Sequence, residues 1–387
     1  MKAVQGGRRT LSVVIAAGGL GGHIYPGLAL AETIRRAVPA ARITFVGTRR
    51  GLEGRLVPQA GYPLRTVDMV PLTRGNGLRF PAALLRSVAQ CQQVIKRTQA
   101  QVAVGMGGYS SAPLIAAARL AGIKSLVHDS NAIPGRANRF STKFTDNVAL
   151  AFDEAERYLP DSVNRRIVGM PLSADLARYD RDALRPAARA ALGLAEDTVL
   201  VLVNGGSLGA TRLNHAAVDL AARWRDRTDV RLLIKAGQEG VDELNRRITA
   251  AGAERVAQAV DYFDRMDHVY AASDLAVCRA GAATVAELRQ VGLPAVLVPY
   301  PHAADDHQTR NARALVDIGA AVLLPDAEVT AERLETLVGG LVATPLRRAE
   351  MAEAAQRGGR SDAAEQLASW VLELAGLPVT ISSPTHV

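Results

Sequence analysis

Cysteine, aromatic side chains and long apolar runs are all scarce in this chain, and each scarcity removes a class of protein. Only Cys91 and Cys278 occur in 387 residues. They are too few and too far apart for a disulfide framework or a cysteine-rich metal site, so a reducing cytoplasm is the expected compartment. No stretch approaches the roughly 18 uninterrupted apolar residues that a spanning helix needs. Residues 1–10 carry Lys2, Arg8 and Arg9, but the apolar run 11–17 is short and ends in glycines, so no signal peptide is expected. Aromatics make up 4% against 48% hydrophobic residues. Aliphatic side chains must therefore fill the interior, as in parallel-sheet proteins.

What is present in excess is positive charge. Lys plus Arg is 46 against 38 for Asp plus Glu, a net +8, which suits an anionic partner. Basic runs interleaved with aromatics are missing, so nucleic acid is not the expected partner. Phosphorylated substrates or an anionic membrane surface account for the charge equally well, and so does an Arg-rich surface with no partner. The stretch 72–97 mixes Leu78, Phe80, Leu84 and Leu85 with Arg74, Arg79, Arg86, Lys96 and Arg97. It could rest on an anionic bilayer or simply pack as an amphipathic helix on the first domain.

The length exceeds what one core comfortably fills, so two domains are expected. The chain reads as two variations on one plan. An apolar run at 11–17 leads into Gly18-Gly19-Leu20-Gly21-Gly22-His23 and then an amphipathic stretch, giving strand, glycine turn and helix. The same order returns at 199–203, with Asn204-Gly205-Gly206-Ser207-Leu208-Gly209. Each half holds a second such unit, through Gly105-Met106-Gly107-Gly108-Tyr109 in the first and Arg279-Ala280-Gly281-Ala282-Ala283-Thr284 in the second. Alternating strands and helices of this length make right-handed βαβ units and a parallel sheet in each half. The fold class is therefore α/β, with two Rossmann-like domains. We place them at 1–171 and 172–360, the residues 361–387 forming a helix that packs back toward the first domain and a frayed tail.

Glycine turns between strand and helix let backbone approach phosphate, and the helix N-terminus adds free N–H groups and partial positive charge. Neither opening turn has the G-x-G-x-x-G spacing and no P-loop Lys follows, which demotes NAD and ATP. Glu287 lies three residues past Thr284 on the following helix, where a carboxylate can accept from ribose hydroxyls; it could equally be a solvated surface residue. The loop Pro299-Tyr300-Pro301-His302-Ala303-Ala304-Asp305-Asp306-His307-Gln308 is dense in polar groups at a strand end. A sugar-binding loop is the better reading, and a metal cluster the weaker one. His23 ends the first glycine turn, as a general base or as a phosphate contact. His128, Asn131 and Pro134-Gly135 form a further polar loop, or plain turn chemistry.

Together these blocks resemble the MurG family of peptidoglycan glycosyltransferases. The similarity runs from about Ser12 into the final helices. It is densest at 18–23, 105–109, 128–135, 205–214 and 279–311. The resemblance implies the GT-B fold, a donor cleft between the halves, an inverting mechanism with neither metal nor cofactor, and peripheral attachment to the cytoplasmic face of the cell membrane. It implies transfer of N-acetylglucosamine from UDP-GlcNAc to the 4-hydroxyl of an undecaprenyl-diphosphate-linked muramyl-pentapeptide. By the same resemblance Ser207 lies near the diphosphate and Phe263 at the uracil. Ala282, Ala283, Thr284, Val285 and Ala286 form the phosphate-binding helix start, Glu287 holds the ribose, and Gln308 the sugar hydroxyls. Leu20, Gly21, Gly22, Tyr109 and Asn131 line the first half, and His23 activates the acceptor, with Glu287 the other residue counted as catalytic.

The chain departs from the family pattern at three places. Leu20 stands where Thr is usual, Asp129-Ser130 where Glu-Gln is usual, and Met170-Pro171-Leu172-Ser173 where Asn-Pro-Val-Arg is usual. Ser173 cannot replace the charge of the Arg expected to serve the donor. Two other readings stay open: a related transferase acting on another lipid-linked or secondary-metabolite acceptor, and a UDP-GlcNAc 2-epimerase-like isomerase.

Overall fold

The computed structural model describes residues 10–19, 21–49, 51–69, 80–206, 210–237 and 240–378. The chain divides into two compact units, 1–173 with 362–387, and 174–361.

In unit 1 the order is β1 (Ser12–Ala16), α1 (Gly21–Ala37), β2 (Arg42–Gly47), α2 (Glu53–Gln59), β3 (Leu64–Thr66), α3 (Phe80–Thr98), β4 (Val102–Gly105), α4 (Ser111–Leu120), β5 (Lys124–Asp129), α5 (Arg136–Ser141), β6 (Asn147–Leu150) and β7 (Asn164–Ile167). The strands pair in parallel in the order β3-β2-β1-β4-β5-β6-β7. β1 is buried at all five positions, because helices cover both faces of a parallel sheet. Side chains alternate along a strand, so Val13 and Ile15 join one apolar layer and Val14 and Ala16 another. The first layer holds Ile24, Leu30 and Ile34 of α1, and also Leu367, Trp370 and Val371 of the chain's last helix, Ala363–Leu374. That helix is tied further by Arg36 to Glu365 at 2.7 Å, by Arg166 to Glu373 at 2.8 and 2.9 Å, and by the Arg166 guanidinium over the Trp370 ring. The second layer receives Cys91 and Ile95 of α3.

Unit 2 repeats the plan with α6 (Ala174–Ala177), α7 (Arg181–Ala191), β8 (Val199–Asn204), α8 (Thr211–Arg223), β9 (Val230–Lys235), α9 (Val241–Ala250), β10 (Ala257–Val260), α10 (Met266–Ala272), β11 (Leu275–Cys278), α11 (Ala282–Val291), β12 (Ala295–Leu297), α12 (His307–Val316) and β13 (Ala321–Leu323). Its six strands are parallel in the order β10-β9-β8-β11-β12-β13. Asp274, just ahead of β11, is gripped by Arg181, Arg185 and Arg189, one face of α7, at 3.3, 2.6 and 3.3 Å. The same arginines donate to the carbonyls of Ala271, Ala272 and Ser273 that end α10, where the helix dipole favours cations. The α/β class with two Rossmann-like units, expected from the alternating pattern, is what the chain adopts. Cys91 and Cys278 are free and buried, and burial pushes both thiols up to about 12, which makes them inert.

Candidate functional site

In an open parallel sheet the order of strands reverses at one point, and ligands bind outside the carboxyl ends of the strands there. In unit 1 that point lies between β1 and β4, and in unit 2 between β8 and β11. The four glycine turns read from the sequence follow those four strands.

In unit 1 the two turns press together. Gly108, at φ +78°, sits against the Gly18 carbonyl oxygen with no space for a Cβ, and a Cβ on Gly107 would lie 2.6 Å from His23 Nδ1. The His23 imidazole, in the first turn of α1, thus packs on the backbone of the β4 turn, which Ser111 steadies by donating its Oγ–H to the Gly107 carbonyl at 2.7 Å. Gly21 and Gly22 share that first turn of α1. Tyr109 is 49% exposed beside Gly108. Asn131 follows β5, and its N–H donates to Asp129 Oδ1 at 2.9 Å.

Asp129 is buried. Its other oxygen accepts from Gly135 N–H at 2.9 Å and Asn138 Nδ2–H at 2.8 Å. This departure from the family pattern therefore organises the 129–138 loop from within. The adjacent His128 is buried, and its Nε2–H donates to the Gly169 carbonyl at 2.9 Å. Burial pushes its pKa down to about 4; the Gly169 bond opposes the shift and the His23 charge adds to it. His128 is thus a neutral structural histidine at physiological pH.

In unit 2 the helix α11 starts at Ala282 behind Gly281. The leading amides of a helix have no intrahelical acceptor, so Ala282, Ala283 and Thr284 present theirs. Val285 differs: its N–H donates to Gly281 at 2.9 Å and its side chain is buried in the core. Within the expected stretch 282–286, Val285 therefore turns neither its amide nor its side chain outward.

Glu287, one turn on, is half-buried, and its Oε2 accepts from Tyr270 Oη–H at 2.6 Å. Desolvation raises its pKa, against the Tyr270 bond and the attraction of Lys235. Lys235, at the end of β9, has its own pKa lowered by burial, against the pull of Glu287 and Asp261, and its Nζ lies over the Tyr262 ring. Phe263 is half-buried between β10 and α10. The Gln308 amide oxygen accepts from Tyr300 N–H at 2.9 Å, which fixes the amide and leaves its NH2 as the donor end.

Within each unit the described residues of the expected site gather at the carboxyl edge of the sheet. Ser173 is exposed and lies between β7 and the start of α6. Leu20 and Ser207 lie outside the described residues, as do Arg74, Leu78 and Arg79 of the expected membrane stretch. Leu84 of that stretch packs against the apolar layer of unit 1, whereas Leu85 is 72% exposed. Leu84 is thus half-buried on the domain side, as the packing alternative expects. No described helix is long and apolar enough to cross a membrane.

Sequence reasoning missed Tyr270 and Glu53. Tyr270 sits inside α10, a short helix that carries no motif. Glu53 is wholly buried beside the first glycine turn, with Oε2 accepting from Gly19 N–H at 3.0 Å.

Comparison with known proteins points the same way. The glycosyltransferase family 28 N-terminal domain matches residues 13–150, and the family 28 C-terminal domain matches 200–367. A UDP-N-acetylglucosamine–N-acetylmuramyl-(pentapeptide) pyrophosphoryl-undecaprenol N-acetylglucosamine transferase of Desulforudis audaxviator is 38% identical, over 95% of this chain and 99% of that one. The protein of the same name in Saccharopolyspora erythraea is 43% identical, over 95% and 96%. The crystal structure of Acinetobacter baumannii MurG superposes with a TM-score of 0.74 at 29% identity, over 94% of this chain and 99% of that one. With both family domains present in sequence order and relatives matched from end to end, the chain belongs to glycosyltransferase family 28.

Proposed function

We propose that the protein transfers N-acetylglucosamine from UDP-GlcNAc to the 4-hydroxyl of an undecaprenyl-diphosphate-linked muramyl-pentapeptide. The observation that carries this reading is α11, which offers free amides at its start and, one turn on, a carboxylate held in place by Tyr270. A diphosphate suits the amides and ribose hydroxyls suit the carboxylate, and one nucleotide carries both. The end-to-end similarity to transferases named for this reaction supports the choice of substrates.

In this reading unit 2 holds the donor. Phe263 packs on the uracil, and Glu287 accepts from the ribose hydroxyls. The amides of Ala282–Thr284 face the diphosphate, and the Gln308 NH2 donates to a sugar hydroxyl. His23 takes the proton of the acceptor hydroxyl as its oxygen bonds to the anomeric carbon. The bond from that carbon to the diphosphate oxygen breaks with its electron pair, the configuration inverts, and the proton stays on the imidazole. Helix amides aimed at the leaving diphosphate stabilise charge where it develops, so no metal is invoked. Peripheral attachment at the anionic cytoplasmic face of the membrane belongs to the same proposal, supported by the +8 charge and by exposed Leu85, Arg86, Lys96 and Arg97 on α3.

The test is turnover of UDP-GlcNAc with the lipid-linked muramyl-pentapeptide, with other lipid-linked acceptors and with none, transfer products identified by mass and the sugar's configuration by NMR. A disaccharide on the muramyl acceptor is expected. Product on another acceptor only would favour the related-transferase reading, and an epimerised sugar formed without acceptor would favour the isomerase.

A further inference from the structure

Glu53 opens α2, one strand over from the first glycine turn, and its side chain is 0% exposed. Both oxygens accept, and all three donors are neutral. Oε1 takes the Thr48 N–H at 2.7 Å and the Thr48 Oγ–H at 2.9 Å, while Oε2 takes the Gly19 N–H at 3.0 Å. The next residue back, Leu52, donates its N–H to the Gly19 carbonyl at 3.2 Å. Gly19, at φ +95°, therefore has both of its backbone groups consumed by the β2–α2 connection.

The surroundings are shaped to this carboxylate. A Cβ on Gly51 would collide with Oε2, a Cβ on Gly47 would lie 2.5 Å from the Glu53 Cγ, and a Cβ on Gly18 would meet Oε1 at 3.2 Å and Ser110 Oγ at 2.7 Å. A buried carboxylate is costly unless its lone pairs are satisfied, and here the protein satisfies them with the turn that leads into His23. Gly19 cannot offer its amide to a ligand. Gly19 is thus held from below, and α1 starts two residues on at Gly21, with the His23 ring against Gly107.

We infer that Glu53 is a positioning residue for the transfer: by holding Gly19 it sets the orientation of the first turn of α1 and so of the His23 imidazole. This rests on the reading of His23 as the base. Effective proton abstraction needs the base within hydrogen-bond reach of the hydroxyl, and small displacements of a catalytic group are expensive in rate.

Glu53→Gln isolates the contact. The amide oxygen can keep the two Thr48 donors, which places the NH2 against the Gly19 N–H, donor to donor. Thr48→Val is the matched control, since it removes one donor from the far oxygen and leaves the Gly19 bond intact. With the lipid-linked acceptor and UDP-GlcNAc, Glu53→Gln should lower kcat about 10- to 100-fold, with the donor KM and UDP affinity within about twofold of the parent. Thr48→Val should keep kcat within about threefold even where its Tm falls as far. Equal kcat in Glu53→Gln and parent, or losses in the two variants that track Tm alone, would overturn the proposal.

The double variant separates this idea from the one beneath it. If Glu53 acts through His23, then Glu53→Gln costs little more once His23→Ala has been made. A full multiplicative loss in that background overturns the positioning role while the base stands. Unimpaired turnover in His23→Ala alone removes the base reading itself.

Discussion

Each unit sends a glutamate toward the place where its strand order reverses, and the two are used in opposite ways. In unit 1 the Glu53 carboxylate is fully enclosed and spends both oxygens on the protein's own donors. In unit 2 Glu287 is half-buried and gives one oxygen to Tyr270, leaving acceptor capacity for a ligand. Fold and residue type are shared, and each lies on a helix that follows a strand, β2 for Glu53 and β11 for Glu287. What distinguishes an internal brace from a binding group is how much hydrogen-bonding capacity the fold consumes. The titratable groups diverge likewise, since His128 in unit 1 has its pKa pushed down and Glu287 in unit 2 has its pKa pushed up, both by desolvation first.

The comparison breaks hardest at His23. If unit 1 carries the base and unit 2 the donor, His23→Ala lowers kcat by about 10²–10⁴-fold and leaves UDP affinity in place. Steady-state kinetics beside calorimetry checks this, and a parallel loss of UDP binding would collapse the division of labour.

Acid should separate the units next. The unfolded His128 titrates near 6.5 and the folded one near 4, so the unfolded chain takes up the proton first as pH falls. Stability that is complete above pH 6.5 is lost progressively down to about pH 4, by roughly 3 kcal/mol at about 1.4 kcal/mol per pH unit. Glu287 has the opposite sign: its folded pKa is raised, so its contribution is present at low pH and lost as pH rises through that folded value. Hydrogen exchange followed peptide by peptide should show unit 1 loosening below pH 6.5 ahead of unit 2, and His128→Gln, which can still donate to Gly169, should flatten that response. An identical slope in the variant would assign the acid sensitivity elsewhere.

Glu287→Ala removes charge-assisted bonds of roughly 1.5–3 kcal/mol and should weaken UDP about ten- to a hundredfold. Tyr270→Phe takes away only the group that orients it, so a loss of about tenfold or less is expected in the same titration. A larger effect from Tyr270→Phe than from Glu287→Ala would reverse the order of importance. The smallest effect expected is on vesicle flotation: Arg86→Glu with Leu85→Ser should reduce binding to anionic vesicles by about 1 kcal/mol for the lost cation, and more for the reversal. Equal flotation of variant and parent would take α3 out of the membrane contact.

Much of this was legible beforehand, for a physical reason. Glycine turns and aliphatic runs are local signals, and a parallel βαβ order places such turns at the carboxyl edge without any knowledge of distant contacts. Glu287 could be read because it lies on the helix that its own glycine turn begins. Glu53 could not. It is 34 residues from Gly19, and only the parallel register of β1 on β2, which sets Ala16 beside Val46, brings the two turns together. Tyr270 escaped for the same reason, its partner being fixed by how α10 and α11 pack around β11. The inward side chain of Val285 and the partial packing of Leu84 come from side-chain direction, which a pattern of residue types does not specify.

The last helix, Ala363–Leu374, adds a consequence in time. It completes the apolar layer of unit 1 with Leu367, Trp370 and Val371, yet a ribosome delivers it only after all of unit 2. Domains generally close as units during synthesis. The half of the chain made first therefore waits, with the apolar face of α1 uncovered, while the half made second can already be finished. A stop codon just before Ala363 would spare unit 2 entirely and leave unit 1, the earlier product, unsealed.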